Sequence, residues 1–285
     1  MMAVASSVLV GALISVAPAV AAPAAVAAPM VTAAPTGLAG AWTNVFDDEF
    51  NGTALDTRKW MPNWYGDGGV MNDVATYASN VSVSSGHLNL TLSGQNSGAL
   101  VSSDVAGGHK VSVGEYVEAS VNFPGNGGSI NNWPAWWISG PNWPSAGEHD
   151  IAEGLGRLTA NYHSPSGAHN QGSVGGAWSN GFHTYGVYRA ADHADVYWDG
   201  QRVKSYRTDD SGQPENMIFN VGGSGTYGAA SQMQVDWVRA WVPGPGANPG
   251  LPPVAAPPSQ PPWWDGLWSG VIAWFQSQVR VLFGG

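Results

Sequence analysis

Short runs of alternating apolar and polar residues, cut by glycine, asparagine, serine and proline, fill the chain from Ala41 to Val242. Val81-Ser82-Val83 and His87-Leu88-Asn89-Leu90-Thr91-Leu92 keep the two-residue period of a strand with one buried face. Ser84-Ser85-Gly86 between them predicts a hairpin turn. Tyr116 to Phe123 alternates in the same way and stops at Pro124-Gly125. Further strands are predicted at 183–188, 194–198, 216–221 and 233–242. Asp199-Gly200 turns the second of these into Arg202-Val203. No run of helical period and no internal repeat interrupts the region. Many short strands at even spacing predict an all-β fold of antiparallel strands, a sandwich or a barrel.

The ends of the chain follow other patterns. Residues 1–35 are almost wholly alanine, valine, proline and small residues, with an apolar run from Val8 to Val16. Ala19-Val20-Ala21 and Ala25-Val26-Ala27 suit cleavage after small residues. The segment reads as a secretory signal peptide, or as a low-complexity leader, because no Lys or Arg precedes Arg58. The folded domain is expected over 36–243, and a Pro/Gly-rich linker over 244–262. Beyond it, in 263–285, Trp264, Leu267, Trp268, Val271, Ile272, Phe275, Val279 and Leu282 fall at helical spacing. An amphipathic helix is expected there, docked on the domain or on a partner, or touching a membrane or cell envelope through 263–283. It is too interrupted to span a bilayer.

Composition narrows the function. The 285 residues suffice for one large β domain with tails. A formal charge of −10 excludes a nucleic-acid partner and disfavours acidic polysaccharides. With no cysteine there is neither a disulfide framework nor a thiolate metal site. Export is expected, and a monomer.

Only 11% of residues are charged, yet Glu148-His149-Asp150-Ile151-Ala152-Glu153 holds three carboxylates in six positions. Its flanks are apolar and aromatic, with Trp133-Pro134-Ala135-Trp136-Trp137-Ile138 upstream and Gly154-Leu155-Gly156 downstream. On a strand, Glu148 and Asp150 share a face while His149 takes the other. Strict alternation then turns Glu153 away. One extra residue, a β-bulge at Ile151-Ala152, returns it to the shared face. Paired carboxylates among tryptophans fit cleavage of a sugar–sugar bond, one acid protonating the leaving oxygen while the other attacks. A spacing of about 5–5.5 Å between them would go with retention of configuration. An acidic strand edge that discourages edge-to-edge pairing is the alternative.

The ordered motifs from Trp42 to Val242 resemble glycoside hydrolase family 16, the laminarinase and lichenase group. They are Phe46-Asp47-Asp48-Glu49-Phe50-Asn51-Gly52 with Lys59-Trp60, then Gly114 to Pro124 leading to Trp133–Trp137. The 148–153 signature in its longer, bulged form follows, with Phe182-His183-Thr184-Tyr185 and Val235-Asp236-Trp237-Val238-Arg239 after it. The resemblance implies a concanavalin A-like β-jelly-roll of two antiparallel sheets. It implies Glu148 as nucleophile, Glu153 as general acid/base and Asp150 as the residue that holds and polarises the nucleophile. Trp133 and Trp137 share a strand face and suit sugar stacking, or core packing. His163 resembles a histidine of the laminarinase cleft, or is a core histidine. Glu49 and Asp236 match positions that often hold a structural calcium, or are surface acids. No cofactor is implied for catalysis. His149 stands where the family usually has an aliphatic residue and Arg189 where a Trp is common; Ser120 and Asn122 replace common basic residues.

The expected activity is endo-hydrolysis of β-1,3-glucan, with mixed-linkage glucan, galactan and other neutral polysaccharides open. Transglycosylation is a sister outcome. A non-catalytic, lectin-like protein and an envelope-attachment protein are the rivals, since one fold serves several functions.

Overall fold

The structure is a computed structural model that describes residues 33–64, 66–71, 74–94, 96–222 and 230–247, with the backbone alone at 70, 71 and 168–170. Two antiparallel sheets of eight strands each stack face to face. The site sheet runs Gly167–Ser173, Leu158–Ser164, Glu148–Gly154, Trp133–Ser139, Glu215–Gly222, Ala99–Ser102, Met61–Pro62, with Lys110–Val111 also pairing on Glu215–Gly222. The back sheet runs Gln201–Arg207, His193–Trp198, His183–Arg189, Tyr116–Asn122, Ser231–Pro243, His87–Leu92, Val81–Ser84, with Trp42–Asp48 also on Ser231–Pro243. This is the jelly-roll sandwich expected from the sequence. The linker beyond residue 247, the 263–285 helix and the leader up to residue 32 lie outside the described residues.

Turn chemistry set the hairpins. Ser85 and Gly86 both have positive φ, 55° and 78°, and join Ser84 to its partner His87. Asp199 and Gly200, at 46° and 72°, do the same between Trp198 and Gln201. Two consecutive positive φ angles define a turn whose twist matches that of its strands.

Between the sheets lies one apolar core. Trp136 stacks on Phe219 with ring centroids 4.2 Å apart, and its indole N–H donates across the sandwich to the Tyr185 carbonyl at 3.0 Å. Ile138, Ile151, Leu158, Ala160, Tyr162, Met217 and Val221 join it from the site sheet, and Val117, Val187, Val196, Trp198 and Val238 from the back sheet. Leu100, Ala135, Trp137 and Ile218 form a separate small cluster with Trp64. They sit on the outer face of the site sheet, the face that carries the acids.

Ala99–Ser102 and Leu158–Ser164 are among the site-sheet strands not read from the sequence. Both are buried at every position. Ala99–Ser102 is short and covered on both faces, so little polar period marks it, whereas Leu158–Ser164 does alternate, with Leu158, Ala160 and Tyr162 in the core and Thr159, Asn161 and His163 on the acid face.

Candidate active site

The bulge falls where the spacing of the acids requires it. Against Trp133–Ser139, Asp150 pairs with Trp137 and Ala152 with Trp136, leaving Ile151 over. Against Leu158–Ser164, Asp150 pairs with Asn161 and Glu153 with Thr159, again one residue extra. A bulge leaves backbone groups outside the ladder, and a buried carbonyl needs a donor. Here Trp198 of the back sheet supplies it, its indole N–H reaching the Ile151 carbonyl at 2.9 Å. Glu148, Asp150 and Glu153 thus share the outer face, while His149 and Ile151 point inward.

Each acid has its own surroundings. Glu153 accepts at both oxygens, from Trp133 Nε1 at 2.6 Å and from Asn161 Nδ2 at 2.5 Å. Asn161 is itself oriented by a second contact to Thr159 Oγ1 at 3.1 Å. His163 faces Glu148 across the strand pair, its Nε2 3.7 Å from Glu148 Oε1 and 3.3 Å from Asp150 Oδ2. Glu148 is only 7% exposed, and neighbouring acids share its low-dielectric setting.

Burial and crowding govern the charges. Loss of water, then repulsion from Asp150, pushes Glu153 up to about 8. The same two causes raise Glu148 well above the usual carboxylate range, with the His163 charge acting against them. At His163 burial disfavours the imidazolium, but the close contact with Asp150 and the charges of Glu148 and Asp150 outweigh it and raise the group to about 9. The imidazolium stands beside Glu148 and Asp150. His163 opposes the rise at Glu148 and at Glu153 alike, and the mutual repulsion of the acids favours a retained proton on one of the two glutamates.

The remaining predicted residues separate. Trp133 is half-buried with its N–H on Glu153. Trp137 is 5% exposed, its N–H fixed to Asn220 Oδ1 at 2.8 Å, and Trp64 lies over it with centroids 6.4 Å apart. Trp137 is thus packing beneath the site, while Trp133, Trp64 and Trp143, whose ring centroid lies 6.4 Å from that of His163, are half-buried aromatic surfaces near the acids. His163 lies among the acids, not in the core between the sheets. Trp64, Asn161 and Asn220 belong to no motif that spacing would reveal, and the sequence reading did not include them.

Glu49 and Asp236 do not fit a calcium site. Arg239 Nε and Nη2 donate to the two oxygens of Glu49 at 2.6 and 2.8 Å, with the guanidinium 4.1 Å over the Trp237 ring. Asp236 has a 45% exposed side chain whose ion-pair partner is His87 at 3.9 Å. A hard cation needs those carboxylate oxygens, and a guanidinium holds both of Glu49's.

Fold and trio together define a sugar-cleaving β-sandwich. The family described as the XgeA-like, catalytic GH16 domain matches residues 76–242, over half of the chain. The chain belongs to glycoside hydrolase family 16 and is a glycoside hydrolase. Solved structures share its fold. An endo-β-1,3-glucanase from Pyrococcus furiosus is 24% identical with a TM-score of 0.57, covering 71% of this chain and 96% of its own. A laminarinase from Flavobacterium sp. UMI-01 is 23% identical with a TM-score of 0.58, covering 70% and 100%. A Bacteroides ovatus mixed-linkage glucan GH16 protein, solved with a G4G4G3G product, is 23% identical with a TM-score of 0.57, covering 68% and 99%. No curated relative matches the chain.

Proposed function

We propose that the chain is an endo-acting, retaining hydrolase of a neutral β-linked polysaccharide, with β-1,3-glucan as the first candidate and mixed-linkage glucan or a galactan next. The bulge that gathers Glu148, Asp150 and Glu153 on one face beside Trp133 carries this reading. In the first step a Glu148 oxygen attacks the anomeric carbon, and Glu153 gives its proton to the departing glycosidic oxygen. In the second step Glu153, now a carboxylate, takes a proton from water, whose oxygen displaces Glu148 from the sugar. Asp150 and His163 hold Glu148 in place, and the His163 imidazolium favours its ionised form against the repulsion of Asp150. Only side chains, sugar and water take part, so no cofactor enters.

Substrate class follows from charge and stacking. Acidic groups crowd the face, and the chain's charge is −10. A sulfated or uronic polymer would be repelled, whereas neutral sugars can stack on Trp133 and Trp64. The laminarinase and glucanase structures of the same fold bring glucans to the front of the choice. We also propose export through the 1–35 leader, the catalytic domain over 36–243, and envelope contact through 263–283 after the 244–262 linker.

The test is incubation with laminarin, lichenan, agarose and xyloglucan, with products resolved by chromatography. Oligosaccharides from one of them are expected, and Glu148→Gln should abolish them while leaving the melting curve in place. Binding without cleavage on all four would replace the hydrolase reading by a lectin-like one. Full activity in Glu148→Gln would remove the nucleophile assignment.

A further inference from the structure

Behind the acids, in the layer between the sheets, lies a second set of ionisable side chains that the two chemical steps leave unused. His149 projects there from between Glu148 and Asp150 and is buried. Its Nδ1 lies 2.9 Å from the Tyr206 hydroxyl, and its Nε2 lies 3.5 Å from Glu215 Oε1 and 3.8 Å from Asp210 Oδ2. Arg189 of the back sheet reaches the same two acids, at 2.8 Å to Glu215 and 3.4 Å to Asp210. It also donates to the carbonyls of Val111 and Gln213. The guanidinium fills the position a metal ion would need between the carboxylates.

The network is anchored to the turn that leads into the acid-bearing strand. Asp210 Oδ1 accepts from the Gly212 amide at 2.7 Å, and the Ser211 amide donates to the Ser145 carbonyl at 2.9 Å. The Tyr162 hydroxyl accepts the Asp209 and Asp210 amides at 3.0 and 3.1 Å. Cohesion alone does not call for this arrangement. Apolar side chains of equal volume commonly hold a core at least as well as buried ions.

We propose that Arg189, Asp210 and Glu215, with His149 and Tyr206, are positioning residues for the hydrolysis: an ion network that fixes the Glu148–Asp150 stretch from behind and sets the charge that Glu148 feels. The inference rests on Glu148 as the nucleophile. The groups facing Glu148 are Asp150 and Glu153 on its own strand and His163 on one neighbour. The Trp133–Ser139 strand on its other side has no titratable side chain. Glu215 acts from behind, and its charge is among the causes that raise Glu148. Arg189 opposes that charge. Removing the Glu215 charge while keeping Arg189 must therefore make Glu148 easier to ionise.

The test has two readouts on Glu215→Gln. The first needs no substrate: the protein is labelled with ¹³C at the glutamate side-chain carboxyls, and Glu148 is identified by the signal missing from Glu148→Gln. Its titration midpoint should fall by about half a unit to one unit. The second is the pH profile of kcat/KM, whose acid limb should fall by the same amount with KM little changed. A purely structural role lowers the melting temperature and moves neither midpoint. An unmoved Glu148 signal overturns the proposal, and a moved signal with an unmoved acid limb overturns its link to the reaction. Inactivity of the unaltered enzyme on every polysaccharide would sink the hydrolase reading and leave the first readout standing. Should Glu215→Gln not fold, Asp210→Asn removes the same charge at the loop end and is read in the same way.

Discussion

Glu153 illustrates how a single residue's role is set by opposed influences. Burial and the Asp150 charge raise it to about 8, while the Trp133 and Asn161 donors pull it back by favouring the carboxylate. As the general acid it must hold its proton, so activity should fall as pH rises through about 8, with the acid limb set separately by ionisation of Glu148. Trp133→Phe keeps the ring and deletes the donor. Loss of a hydrogen bond to the charged form raises the group further, so the alkaline limb should move up by about half a unit. Because Trp133 also aims the carboxyl, kcat/KM should drop by about tenfold. A pH–rate profile of the variant checks both, and a downward shift of the alkaline limb would contradict the role given to Glu153. The acids themselves were legible from spacing alone, since three carboxylates in six residues stand out where charge is scarce. Asn161 was not, because alternation in Leu158–Ser164 gives a face but no partner; only the register of that strand against the bulge brings it to Glu153.

At the scale of the element, the site is one irregularity in one strand. A regular Glu148–Gly154 strand would carry two acids on the outer face and turn the third into the core. The sequence disclosed the bulge because function and alternation could be reconciled in no other way. It did not disclose what holds the bulge, since Trp198 lies 47 residues on, in the other sheet. Trp198→Phe leaves the Ile151 carbonyl buried without its donor, at a cost of about 1–3 kcal/mol. In a domain of this size that lowers the melting temperature by about 2–10 °C. The bulge then relaxes toward regular pairing and Glu153 moves off its proton-transfer position, so kcat should fall by at least about tenfold with KM nearly unchanged. Calorimetry and steady-state kinetics on the one variant give both numbers. A destabilised protein with unaltered kcat would mean that the strand keeps its bulge without Trp198.

Over the whole sandwich, chemistry and cohesion are assigned to opposite faces. The outer face of the site sheet carries the acids, and the outer face of the back sheet carries an aromatic cluster of Tyr116, Tyr197 and Trp241, flanked by Trp42, Tyr188 and Trp237. That cluster is closed by the segment leading into Trp42–Asp48. Leu38 packs on it, and the Thr36 amide donates to Glu118 Oε2 at 3.1 Å. Glu118 is buried, and burial raises it, with the Thr36 donor acting against that rise. The sequence reading placed the start of the domain at residue 36 from composition. It gave no reason for that segment to be folded, because the partner, Glu118, is 82 residues away. A chain of residues 34–247 should fold and cleave polysaccharide as the full chain does. A chain of residues 42–247 exposes the cluster and strips Glu118 of its backbone donor, a loss of about 1–3 kcal/mol. Its melting temperature should drop by about 2–10 °C. Its kcat and KM should not change below that temperature, because the segment and the acids lie on opposite outer faces of the sandwich. Equal melting points for the two chains would show that the segment closes nothing, and a fall in kcat at equal fold would show that it reaches through to the acids.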